Sequence, residues 1–211
     1  MAVFSGAGLA CVRGGRLVFS KLDFTIGAGG ALVLVGRNGC GKSSLLRLMA
    51  GLSRPAAGEL LWHGQAVDDD TAAHHARLRY IGHRDAIKPI LSVFENVDFW
   101  ARFQGGRYDA NSRAHAALDA FGLRRLADLP ARYLSQGQRR RLALCRLLVS
   151  EVPLWLLDEP RAGLDDDAAS QLDNAIMRHR EQGGMVVIAL HGSDRPAGSQ
   201  VLDVGHYGGS S

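Results

Sequence analysis

Cysteine is scarce in this sequence, and its few cysteines follow none of the patterns that bind metals or haem. The 211 residues include three, Cys11, Cys40 and Cys145, without a CxxC pair or a CxxCH haem-attachment motif. An odd and scattered set of this kind is typical of free thiols in a reducing compartment. The sequence therefore argues against a secreted domain held together by disulfides.

Long hydrophobic runs are also missing. The longest apolar stretches, residues 31–35 and 185–190, have the length of buried strands, whereas a membrane span needs about 18 apolar residues. The N-terminus lacks a basic start followed by a long apolar core, so we expect no signal peptide. We expect a cytoplasmic protein that reaches a membrane only through a partner.

Positively charged residues are only slightly in excess of negatively charged ones. The formal net charge is +4, and weak basicity of this size does not identify a nucleic-acid partner; we expect none. With 46% hydrophobic and 22% charged residues, the composition is ordinary for a soluble globular protein. The length suits one domain with a substantial core, so we assign residues 1–211 to a single domain.

What the sequence does contain is an alternation of strands and helices. Three apolar runs predict buried strands, of which the third is expected to be the last of the core: 31–35, 154–157 and 185–190. Residues 68–78 are polar and poorly patterned, so His74 and His75 are expected in a loop. The order predicts an α/β fold with an inserted α-helical subdomain at roughly 85–150.

The most specific motif is a glycine-rich loop. Residues 36–43, GRNGCGKS, match the pattern G-x-x-x-x-G-K-[ST] in full, after a predicted strand and before a predicted helix. Backbone N–H groups of such a loop point at phosphate oxygens, and the helix adds its positive N-terminal end. Lys42 supplies charge to the β- and γ-phosphates, and the Ser43 hydroxyl can ligate Mg²⁺. The loop predicts ATP and Mg²⁺ as cofactors, with these nucleotide-binding residues: Gly36, Arg37, Asn38, Gly39, Cys40, Gly41, Lys42, Ser43 and Ser44.

A second candidate site is an apolar strand that ends in two carboxylates, Asp158 and Glu159. A strand end beside a phosphate loop is where Mg²⁺ is held, usually through water, and we assign Asp158 to that role. Glu159 can orient and deprotonate the attacking water. Together with Lys42 as a catalytic residue, these carboxylates predict that the chain hydrolyses ATP.

Together with the segment LSQGQ at residues 134–138, these motifs resemble those of the ATP-binding cassette (ABC) ATPases over nearly the whole chain. The resemblance implies a P-loop fold with a mixed sheet core, an N-terminal antiparallel β subdomain and a helical subdomain. It also implies a head-to-tail dimer, in which Ser135, Gly137 and Gln138 complete the site for the ATP held by a second copy. We expect the arginines at 139–141 on the solvated or subunit-facing side of the helix that follows.

Two histidines match further motifs of that family. His191 matches the switch histidine that contacts the γ-phosphate, so the resemblance implies a catalytic role. His83 stands where the family carries the glutamine of the Q-loop, so we assign it to the metal site with Ser43 and Asp158. The N-terminal aromatic that stacks on adenine in the family is missing, and Arg13 stands near that position.

Three more segments, residues 51–64, 80–83 and 182–184, resemble the cassettes of bacterial cytochrome c maturation. The resemblance implies a peripheral subunit at the cytoplasmic face of the inner membrane. Its ATP hydrolysis would energise a CcmB-like membrane permease, in haem export or in release of a haem-loaded chaperone. The alternatives are the ATPase of another ABC exporter and a soluble ABC ATPase of repair or translation. Long coiled coils and a second cassette, which are typical of the soluble types, are absent from the sequence.

An aromatic segment lies in the predicted helical region and contains Phe94, Phe99, Trp100 and Phe103. In the ABC family this region receives the membrane subunit. We expect one or two of these aromatic side chains to face that partner, and the others to belong to the core of the subdomain.

Overall fold

The computed structural model describes residues 3–190 and 195–208. The chain divides into two compact units, which comprise residues 1–80, 153–159 and 178–211 for the first and residues 81–152 and 160–177 for the second. The helical subdomain expected at roughly 85–150 falls within the second unit. The assignment of the whole chain to one domain stays a prediction.

The elements of the described residues follow an α/β order. The strands are β1 Val3–Arg13, β2 Arg16–Gly27, β3 Ala31–Val35, β4 Ala57–Trp62, β5 Gln65–Ala66, β6 Leu78–Ile81, β7 Leu154–Asp158, β8 Met185–Ala189 and β9 Gln200–Asp203. The α-helices are α1 Lys42–Met49, α2 Thr71–Ala76, α3 Val93–Gly105, α4 Ala110–Ala120, α5 Gln136–Leu144 and α6 Asp166–Glu181.

The first unit contains an antiparallel sheet with strand order β2-β1-β4-β5. The pairing of β1 with β2 has register shifts between Gly6 and Val12, which interrupt the apolar alternation along β1. The buried face of this sheet, including Phe4 and Phe19, packs in one hydrophobic cluster with Leu45 of α1. This packing fixes the helix that follows the glycine-rich loop.

A second sheet has the strand order β6-β7-β8-β3-β9, and the pairs β7–β8, β8–β3 and β3–β9 are parallel. The interior strands β7 and β8 are buried along their whole length, as expected for strands covered on both faces. The core strand predicted at residues 185–190 is present as β8, and a partly exposed edge strand, β9, extends the sheet beyond β3. Its partly exposed edge sequence, Gln200–Asp203, carries no apolar run that could have revealed it.

His74 and His75 do not lie in the loop that the sequence predicted, but in a helix within residues 68–78. This helix is α2, in which His74 is completely buried and its Nε2 lies 2.8 Å from the carbonyl oxygen of Met49. Burial is the main cause that lowers the pKa of His74. Burial favours the neutral imidazole, and the contact with Met49 satisfies one ring nitrogen, so this histidine can take the place of an apolar residue in the core. A sequence pattern of apolar residues does not predict such a position.

The second unit is built mainly from helices. Val93, Val97 and Ala101 of α3 are buried, and their four-residue spacing places them on one face of the helix. The expected exposure of the arginines at 139–141 is wrong for Arg140, which is 5% exposed. None of the helices within residues 3–190 and 195–208 has the length and apolar character needed to cross a membrane.

Candidate functional site

The glycine-rich loop connects β3 to α1 at the carboxyl end of the parallel sheet. Two of its glycines are required by the backbone. Gly36 has φ 131°, and a Cβ there would lie 2.7 Å from Cys40 Sγ. Gly41 has φ 111° and no room for a Cβ beside Val18. Only glycine combines this left-handed conformation with such close packing.

Lys42 is a buried cation at the first position of α1. It is 5% exposed, and its Nζ donates to the carbonyl oxygens of Gly36 at 2.8 Å and Arg37 at 3.4 Å. Among the described residues, no carboxylate forms an ion pair with it. A buried ammonium without an opposite charge is costly, so the site fits an anionic ligand such as a phosphate group.

The N-terminus of α1 fits the same ligand. Its N-cap, Gly41, provides no side-chain cap, and the first turn contains no acidic residue. The helix therefore keeps its unpaired N–H groups and positive end for an anion. The side chains of Arg37 and Asn38 are exposed on the loop, and Ser44 shares a side-chain hydrogen bond with Cys11.

The structure brings together two of the three residues assigned to Mg²⁺. The Ser43 hydroxyl donates to Asp158 Oδ1 at 3.1 Å, and Asp158 is 3% exposed at the end of β7. Asp158 also helps to raise the pKa of Tyr80, for which burial is the larger cause. A hydroxyl and a carboxylate oxygen in contact are ligands that Mg²⁺ prefers, so this pair fits the ion.

Glu159 occupies a strained position directly after β7. Its φ is +48°, a conformation uncommon for residues other than glycine, and its backbone N–H donates to the carbonyl oxygen of Ala189 at 3.1 Å. Such strain often occurs where a side chain must be aimed at a reaction centre. The arrangement is compatible with the predicted role of Glu159 as the base.

The segment LSQGQ at residues 134–138, which we call the signature segment, contains the start of α5 in the second unit. Ser135 Oγ accepts from the N–H of Gln138 at 3.2 Å, and Gln138 Oε1 accepts from the N–H of Ser135 at 2.9 Å. This capping box explains why the helix starts here. Gly137 approaches the carbonyl oxygen of Gly163, so that a Cβ would lie 3.0 Å from it. The assignment of Ser135, Gly137 and Gln138 to ATP binding stays a prediction.

The roles assigned to the two histidines stay predictions. His83 is exposed in the second unit, between β6 and α3. Within the described part of the chain, no cluster of three or more His, Cys, Asp or Glu residues could hold a metal ion. His191 lies outside the described residues. Arg13 ends β1 with an exposed side chain and pairs across the hairpin with Arg16.

An exposed aromatic patch on α3 consists of Phe99, Trp100 and Phe103 with Arg146 beside them. Phe99 and Phe103 are 45% and 73% exposed, and their rings stack with centroids 6.0 Å apart. The Arg146 guanidinium lies 4.0 Å from the centre of the Trp100 ring, and burial lowers its pKa to about 10. The aromatic Phe94 instead stacks on His115 at 4.5 Å.

The sheet, the loop and the buried lysine define a P-loop nucleotide-binding protein. A family model described as "ABC transporter" matches residues 19–162. The chain is 51% identical to the "Cytochrome c biogenesis ATP-binding export protein CcmA" of Paramagnetospirillum magneticum, over 98% of this chain and 95% of that protein. It is 50% identical to the protein of the same name from Rhodospirillum rubrum, over 98% of this chain and 87% of that protein.

A solved structure shows the same fold. The "Putative ABC transporter (ATP-binding protein)" from Pyrococcus furiosus superposes with a TM-score of 0.84 and 20% identity, over 98% of this chain and 100% of that chain. The chain belongs to the ABC transporter family. The fold class and the family predicted from the sequence are therefore confirmed.

Proposed function

We propose that this chain is the ATP-binding and ATP-hydrolysing subunit of an exporter complex in cytochrome c biogenesis. The names of the relatives that are half identical over nearly the whole chain support this role. The observation that carries the ATPase activity is the buried Lys42 ammonium beside the Ser43–Asp158 contact. The ammonium can bind the phosphates of a magnesium nucleotide, and the Ser43–Asp158 pair can bind its Mg²⁺ ion.

The residues of the site have separate tasks in this proposal. Lys42 and the N–H groups of the loop bind the phosphates, while Ser43 and Asp158 hold Mg²⁺. The bound magnesium nucleotide supplies the phosphoryl group and a cation that neutralises its charge. Glu159 accepts the proton of the attacking water. His191 is assigned to the γ-phosphate, and His83 to the metal site as the family's Q-loop counterpart.

The site is completed by a second copy in this proposal. Ser135, Gly137 and Gln138 of one copy face the ATP on the phosphate loop of the other, in a head-to-tail dimer. The first turn of α5 contains no acidic residue, and the positive end of a helix favours an anion, which supports this arrangement. The aromatic patch is proposed to receive a CcmB-like permease at the cytoplasmic face of the inner membrane, because apolar surface of this kind marks interaction sites.

The Glu159→Gln variant tests the proposed function. It keeps the size of the side chain but removes the base, so we expect ATP binding with hydrolysis reduced by about a hundredfold or more. It should accumulate an ATP-bound dimer in size-exclusion chromatography. The Lys42→Ala variant is the control and should form no such dimer. Hydrolysis by Glu159→Gln at the wild-type rate would show that the base is assigned wrongly.

A further inference from the structure

One buried guanidinium connects its own helix, α5, to two other segments of the second unit. Arg140 Nε donates to the carbonyl oxygen of Pro160 at 3.2 Å. Its Nη1 donates to the carbonyl oxygen of Gly82 at 3.0 Å and to Asp85 Oδ1 at 3.1 Å. We call this set of contacts the guanidinium bridge. Because a guanidinium is planar and rigid, the bridge fixes the positions of its acceptors relative to one another.

The bridge joins segments that carry residues of the proposed ATPase site. Two of its acceptors flank His83 in the sequence, and the third directly follows Glu159. Arg140 itself lies on α5, the helix that Ser135 caps. One side chain therefore connects the backbone beside three motifs that are far apart in the sequence.

Stability alone is a weak explanation for such a bridge. The side chain of Arg140 is 6% exposed and that of Asp85 is 27% exposed, and buried ion pairs are often no more stabilising than apolar residues of similar volume. What the bridge supplies and an apolar contact does not is directional geometry. Directional geometry matters most where reacting groups must be aligned, since a displacement of about 1 Å can cost about a hundredfold in rate.

We propose that Arg140 is a positioning residue for ATP hydrolysis, which sets the rate of the chemical step and not the affinity for ATP. The inference rests on the proposed ATPase function. It assigns to the guanidinium bridge the task of holding the His83 loop, the signature helix and the segment after Glu159 in one arrangement. Loss of the bridge leaves the phosphate loop of the first unit intact, so ATP binding persists.

Two variants test this role in the full chain. Arg140→Lys keeps the charge, but an ammonium cannot reproduce the planar fork; we expect a kcat about tenfold lower, because alignment is lost. The KM for ATP should stay within about twofold, because the contacts that bind ATP equally in the ground state and the transition state are unaffected. Asp85→Ala should also lower kcat, but by a smaller factor than Arg140→Lys. The matched control is Arg124→Lys, in an exposed pair with Asp119 at 3.4 Å, which should leave both constants unchanged.

The outcomes separate positioning from folding. An unchanged kcat in both variants overturns the proposal, and so does a raised KM with an unchanged kcat. If Arg140→Lys does not fold, as judged by its thermal unfolding, Asp85→Ala decides, and its full wild-type kcat overturns the proposal. A wild-type chain without ATPase activity would contradict the proposed function itself. An active wild-type chain whose variants keep the same kcat would contradict only the role of Arg140.

Discussion

The three cysteines differ in exposure, and this difference provides a chemical probe of the phosphate loop. Cys40 is partly exposed in the loop, whereas Cys11 and Cys145 are buried. Burial raises the pKa of the Cys11 and Cys145 thiols, and a thiol that stays protonated is a poor nucleophile. A thiol reagent should therefore react with Cys40 in preference to Cys11 and Cys145.

We expect N-ethylmaleimide to modify Cys40 alone and to abolish ATPase activity, because the adduct occupies the loop where phosphates bind. Mass spectrometry of the digested protein identifies the modified residue. ATP with Mg²⁺ should protect the thiol, and Cys40→Ala should remain active after treatment. Equal inactivation of Cys40→Ala would show that another residue is responsible.

At the scale of single elements, α3 and α5 offer a matched pair of helix starts. Ser92 caps α3 and Ser135 caps α5, each in a capping box with the residue three positions later. Changing either serine to alanine should lower the free energy of unfolding by about 1 kcal/mol. Only Ser135→Ala should also reduce ATP hydrolysis, since only Ser135 is assigned to ATP. Denaturant unfolding and ATPase assays measure the two effects, and equal activities in both variants would remove Ser135 from the site.

Elements with a regular apolar period could be predicted from the sequence, and the others could not. The unbroken apolar run at residues 185–190 revealed β8, and the helical subdomain expected at roughly 85–150 contains α3, α4 and α5. β9 is a short, partly exposed edge strand whose pairing with β3 depends on the finished sheet. α2 was missed because the buried position of His74 is made possible by a distant carbonyl, that of Met49.

The candidate site shows the same division. The phosphate loop was predictable because its function requires consecutive residues in a fixed pattern. The contact between Ser43 and Asp158 followed from placing both at the carboxyl side of one sheet. The burial of Arg140 was not predictable, because its acceptors at Gly82 and Pro160 come from segments that only the folded chain brings together.

At the scale of the whole molecule, the aromatic patch is surface that the folded chain leaves uncovered. We expect Phe99→Ser with Phe103→Ser to weaken co-purification with the membrane permease by about tenfold, since exposed aromatic anchors contribute strongly to binding. ATP binding should persist, because the phosphate loop is unchanged. Met177→Ser is the matched control, at 51% exposure on α6, and should co-purify normally. Full retention of the permease by the double variant would mean that the partner docks elsewhere.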